Sequence, residues 1–242
     1  MRRIFVLLAA LVVISGFSTV QTPASAKDND IKQKVFVHYP KNPGRPAPVS
    51  NCSLTTDDQV DSWGWAGWQM PAAGMNYKIN LATKPKNLTE ADISSAIVNS
   101  FSAWSDADSK QIFTASGTTT VKSAKLDGTN AILWKGISGS ALAITYVWYY
   151  SATGQLVEAD TAFNKNYKWS VTSPSAGDCS GTAGTYDVRN IGTHEFGHWV
   201  GLDDLYSASD KDLTMYGYGE TTELKKDSLG RGDITGVNSI AP

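Results

Sequence analysis

Apolar positions change their spacing several times along the chain, and each change predicts an element. Residues 75–81 alternate apolar with polar, the pattern of a half-buried strand. After Thr89, residues Ile93, Ala96, Ile97, Phe101 and Trp104 recur at three- and four-residue steps, which places them on one face of a helix packed against a core. Thr89 is a favourable N-cap, and Asp92 three residues on completes a weak capping box. Residues 112–114 and 118–125 read as strands parted by Ser116-Gly117, and Asp127-Gly128 reads as a turn. Residues 131–134 form a short strand, 141–150 a long β-prone run ended by Thr153-Gly154, and 157–163 a further strand. A Ser/Gly-rich loop over 172–185 leads to a second helix that starts near Asp187 and ends at Gly201. Beyond it, a short helix over 223–229 is the one regular element the pattern suggests. Strands and a helix, then a second helix and an irregular tail, give an α+β domain with its cleft between the first part and the tail.

The start of the chain follows different rules. Arg2 and Arg3 precede an apolar run over 4–14, and Ala24-Ser25-Ala26 fits a cleavage site, so residues 1–26 read as a secretory signal peptide. The run is short for a membrane span. Residues 27–74 read as an N-terminal extension lying on the domain, and as a candidate pro-segment. The prolines at 43, 46 and 48 predict no regular element over 27–50, and Trp63, Trp65 and Trp68 mark a Trp-rich stretch after it. The domain proper is then expected over 75–242.

The second helix carries the chemistry. His194 and His198 are four residues apart, so both imidazoles project from one face, one turn apart, as two ligands of one metal must. Glu195 lies beside the first, which makes the arrangement H-E-x-x-H: two zinc ligands and a general base. Gly201 lets the chain leave the helix, and Asp204 follows, able to swing back as a third ligand. The chain has three histidines. The third, His38, falls in the extension, so an oxygen ligand is expected, from Asp204 or its neighbour Asp203. Met215 stands where a methionine floor beneath the metal is expected.

At these residues the chain resembles the metzincin zinc peptidases, and within them the bacterial matrixin-like branch. The stretch from Tyr186 to His198 resembles the matrixin zinc helix, Phe101-Ser102-Ala103-Trp104-Ser105 the end of the first helix, and Gly232-Asp233-Ile234-Thr235-Gly236-Val237 the closing helix. The resemblance implies a mixed twisted sheet with two main helices, an active-site helix, a Met-turn at Met215 and a short C-terminal subdomain. Metzincin spacing puts the third ligand six residues after His198, at Asp204, an aspartate as in the snapalysin branch. The animal matrixin segment that helps hold structural zinc and calcium is altered here, with Ala162, Asn164, Lys165 and Tyr167 at its ligand positions. One catalytic Zn2+ is therefore implied, and structural calcium stays open. The specificity-pocket wall is Met215-Tyr216-Gly217-Tyr218-Gly219, whose shape does not carry over. In matrixins the strand matching 141–150 is a substrate-binding edge; its continuous apolar character also suits a buried central strand.

The implied activity is a secreted, monomeric zinc endopeptidase acting on polypeptides, with Glu195 as general base. The rivals are a non-catalytic binding protein on the same fold and a zinc hydrolase of a non-peptide amide. A formal net charge of −2 gives no reason to expect nucleic acid or an anionic membrane as partner. Eight Trp and ten Tyr suit aromatic core packing more than a substrate cleft. Cys52 and Cys179 are an even pair in an exported chain, which favours a disulfide; the alternative is a Cys52 thiolate held on zinc.

Overall fold

The computed structural model describes residues 30–41, 60–172 and 181–240. Cys52, Cys179 and the signal-peptide residues lie outside them. Among the described residues the main sheet has seven strands. In chain order these are β1 (Ile31–Pro40), β2 (Met75–Ile79), β3 (Phe113–Thr118), β4 (Ala131–Lys135), β5 (Ala143–Tyr150), β6 (Leu156–Asn164) and, after a two-stranded ribbon of β7 (Trp169–Ser170) and β8 (Tyr186–Asp187), β9 (Tyr218–Gly219). Their spatial order is β3-β2-β4-β6-β5-β1-β9. The pairs among β3, β2, β4 and β6 are parallel, and β5 runs antiparallel to β6. The mixed sheet and its few helices are the α+β architecture expected of a matrixin.

Helix α1 (Glu90–Ala107) forms where the apolar stripe predicts it, with the Thr89–Asp92 capping box complete. Ile93, Ala96, Ile97, Phe101 and Trp104 are all buried. The helix packs on α2 (Val188–Trp199), where the Phe101 and Phe196 rings stack at 3.8 Å. Gly192 permits this approach, because a Cβ there would lie 2.9 Å from Ser100 Oγ. Trp104 Nε1 donates to the Thr193 carbonyl at 2.8 Å, which fixes the register of the two helices. Helix α3 (Arg231–Ser239) is the last described element, and the short helix expected over 223–229 is reduced to a single 3-10 turn over Lys225–Asp227.

Three expectations are corrected. Residues 119–125 are not a strand: β3 ends at Thr118. The loop that follows spends its amides on two buried carboxylates instead. Lys125 N and Ala131 N donate to Asp160 at 3.0 and 2.7 Å, and Asp127 N and Gly128 N donate to Glu158 at 2.9 and 2.5 Å. The second correction is β1, a ten-residue strand inside a region expected to have none. The prolines that argued against structure lie beyond its end, and Val35-Phe36-Val37 is a β-branched and aromatic run that pairs readily. The third follows from it. β5 is not an edge, because β1 pairs with it antiparallel from Ile31↔Tyr150 to His38↔Ala143. Trp68 and Met70, ahead of position 75, are buried in the same core as β2.

Candidate active site

Helix α2 starts at Asp187, whose carboxylate accepts from Arg189 N and Asn190 N at 2.8 and 3.1 Å. That cap sets the phase of the helix, and His194 and His198 emerge one turn apart with ring centroids 5.0 Å from each other. Each imidazole is held from behind. His194 Nδ1 lies 2.8 Å from the Thr214 carbonyl, and His198 Nδ1 lies 2.9 Å from the Leu202 carbonyl. A carbonyl only accepts, so each Nδ1 carries the proton and each Nε2 presents a lone pair forward.

The chain then turns back. Gly201 adopts φ +103°, and a Cβ on it would lie 2.3 Å from the Trp68 carbonyl oxygen, so neither the conformation nor the space admits a side chain. The reversal brings Asp204 Oδ1 to 3.2 Å from His194 Nε2 and 3.6 Å from His198 Nε2. Two donors on a tetrahedral zinc, each about 2.0–2.1 Å from it, stand about 3.3 Å apart. His194 Nε2 and Asp204 Oδ1 are also buried without a hydrogen-bond partner, which is costly unless another group satisfies them. The three side chains therefore fit one zinc ion. The second Asp204 oxygen accepts from Tyr206 O–H at 3.0 Å. Asp203 turns away, to Lys34 at 3.0 Å.

The protonation states agree with that fit. Burial lowers His194 to about 4 and lowers His198 too, so both are neutral near pH 7. Burial opposes ionisation of Asp204, but the two imidazoles and the Tyr206 hydroxyl outweigh it and hold the carboxyl well below its usual range. Neutral imidazoles with an ionised carboxylate are what a metal requires.

Met215 lies beneath the helix. A Cβ on Gly197 would sit 2.2 Å from Met215 Sδ, so the absent side chain is what lets the methionine approach. Asp233, at the start of α3, holds the Met-bearing turn by accepting from Thr214 N and Met215 N at 2.7 and 3.0 Å. The same turn supplies the carbonyl behind His194, so the closing helix sets that imidazole at one remove.

Glu195 is fully buried, and burial raises its carboxyl to about 8 against an opposing hydrogen bond from Thr145. Thr145 Oγ1 donates to Glu195 Oε2 at 2.6 Å, while Oε1 has no hydrogen-bond partner. Sequence reasoning passed over Thr145 and Tyr206. The signal for Thr145 was a lone hydroxyl in the inward row Ala143, Thr145, Val147 of an otherwise apolar strand.

His38, expected outside the domain, is the largest departure. It is buried against His194, with ring centroids 3.9 Å apart and its Nδ1 3.3 Å from Glu195 Oε1. His38, His194 and Glu195 thus form a second group of close donor atoms sharing His194 with the first.

The family model described as Matrixin matches residues 68–241. No curated protein matches the chain.

Proposed function

The chain belongs to the matrixin family of zinc metallopeptidases, and from that premise we propose that it is an exported zinc endopeptidase in which His194, His198 and Asp204 hold the metal and Glu195 is the general base. The observation that carries this reading is the approach of Asp204 Oδ1 to His194 Nε2 at 3.2 Å and to His198 Nε2 at 3.6 Å, beside a buried Glu195 carboxyl on the same helix as the two histidines, one of whose oxygens has no hydrogen-bond partner. Family membership makes polypeptides the substrate class.

Zinc, when bound, polarises a scissile carbonyl and makes water acidic enough to attack near neutral pH. The protein's own part is to orient and to move a proton. Thr145 pins Glu195 Oε2, which leaves Oε1 as the atom that takes a proton from the attacking water and returns it to the leaving amine. Burial raises the Glu195 carboxyl to about 8, and the positive charge of a bound zinc would favour the ionised form that accepts a proton. The carbonyls behind both histidines keep the imidazoles from rotating and keep their protons off Nε2. Met215 packs the floor and takes no part in the proton movement.

Export rests on residues 1–26, and a Cys52–Cys179 disulfide suits the same compartment. Hydrolysis of casein, abolished by a zinc chelator and restored by added zinc, tests the reading. A protein that binds zinc but leaves casein and gelatin intact, both as the full chain and after substitutions that loosen the segment covering the site, would instead be a binding protein on a peptidase fold.

A further inference from the structure

His194 and Glu195 are 0 % exposed and His198 is 1 % exposed, so no substrate reaches them in this structure. What covers them is β1. The strand runs antiparallel to β5 on one side and, at its end, parallel to β9 on the other, through Tyr39↔Tyr218 and Pro40↔Gly219. Backbone bonds hold it on both sides: Leu142 N donates to the His38 carbonyl at 2.8 Å, and Lys41 N to the Gly219 carbonyl at 2.9 Å. This is how an extended peptide adds to a sheet edge.

The register centres β1 on the reaction site. Phe36 stacks on His198 with ring centroids 3.7 Å apart and planes 12° from parallel, and His38 lies on His194. The residue between them, Val37, therefore crosses the two imidazoles that face Asp204. His38 lies against Gly219, where a Cβ would come within 3.2 Å of His38 Nε2, 3.1 Å of Leu142 and 2.9 Å of Ile191. Lys226 lies beneath it, fully buried, with Nζ 3.4 Å from His38 Nε2 and a second hydrogen bond to the Tyr216 carbonyl. A lysine ammonium only donates, so the side chain seated above it must accept.

Two further observations separate β1 from the rest of the molecule. The family match begins at residue 68, after β1 has ended. The charged contacts at β1 are Lys34–Asp203, the buried approach of His38 to Glu195 and, one residue past its end, Lys41–Glu220; of these, a pair as exposed as Lys34–Asp203 contributes little.

Resting on the zinc-peptidase reading above, we propose that Ile31–Pro40 is the protein's own resident peptide in its substrate groove, and that the groove takes extended peptides with an aromatic side chain at the Phe36 position and a hydrogen-bond acceptor at the His38 position, above Lys226. The chain with β1 in place is then a latent form, and departure of β1 opens the site.

The test uses the full chain and its F36A/H38A variant, both loaded with zinc. Zinc content, amide hydrogen exchange and casein hydrolysis are measured on each. Zinc content should match between the two, β1 amides should exchange faster in the variant, and hydrolysis should rise by about tenfold or more as the open population grows. In the wild-type chain β1 amides should exchange well before those joining β5 to β6. Exchange of β1 and β6 as one unit, or hydrolysis by the wild-type chain that the variant does not exceed, would overturn the proposal and make β1 a permanent strand. If β1 exchanges early and zinc is bound but neither protein cleaves, the peptidase reading has failed while the occupancy of the groove stands. A peptide panel given to the active variant completes the test: Gln or His should be preferred to Leu or Lys at the His38 position, and the reverse order would refute the role given to Lys226.

Discussion

Thr145 Oγ1 donates to Glu195 Oε2 at 2.6 Å, and that bond is the end of a one-way chain. Trp199 Nε1 donates to Thr161 Oγ1 at 3.0 Å, and Thr161 and Thr145 hydroxyls lie 2.8 Å apart. Thr145 has one proton and gives it to the carboxylate, so Thr161 must donate to Thr145. Trp199 stands one turn beyond Glu195 on α2, so the helix fixes its own Glu195 carboxyl through two strand hydroxyls.

Thr145→Val keeps the shape and removes the donor. A buried hydrogen bond to a charged group contributes about 1.5–3 kcal/mol, so kcat should fall by about tenfold to a hundredfold. KM and zinc content should hold, and Thr145→Ser should recover most of the rate. Steady-state kinetics on the three proteins decide it; a raised KM with unchanged kcat would assign Thr145 to substrate binding instead.

The helix and its motif were legible because each depends on local spacing. Two histidines four apart on a capped helix share a face whatever surrounds them, and the α1 stripe from Ile93 to Trp104 follows the same rule. His38 was not legible, because its place depends on a strand pairing that spans more than a hundred residues. The local signal was present in Val35-Phe36-Val37, but the prolines from 43 onward masked it. Thr145 was hidden for a related reason: a hydroxyl in a β-run acquires a role only when a helix packs on that face.

Asp204 and Asp203 are neighbours with opposite assignments. Asp204→Ala should lose zinc and hydrolysis together, and Asp204→His should retain zinc. Asp203→Ala removes the pairing with partly exposed Lys34 and the hydrogen bond from Asp204 N, leaves the Asp204 carboxylate in place, and should keep both. Metal content of the purified variants is the measurement. Stoichiometric zinc in Asp204→Ala would move the third-ligand role to His38 or Asp203.

Zinc affinity should depend on pH in a way that free histidines do not. Burial lowers His194 to about 4 and shifts His198 in the same direction, so protons compete for these ligands less in mildly acidic solution than they would for free imidazoles. Between pH 6.5 and 5 the affinity should fall less steeply than two ordinary imidazoles would make it, and the His194 contribution should be lost as pH approaches 4. Ordinary imidazoles, with a pKa of about 6.5, would weaken binding by up to about tenfold per histidine for each unit below that value. Competition against a chromophoric chelator across this range distinguishes the two courses.

The central claim is that Glu195 moves the proton while His194, His198 and Asp204 hold the metal. Glu195→Ala, made in the full chain and in the F36A/H38A background, separates these duties. Zinc measured by elemental analysis beside hydrolysis of a fluorogenic peptide should show unchanged metal and turnover lower by about two to four orders of magnitude. Undiminished cleavage by a Glu195→Ala protein that carries its zinc would contradict the account.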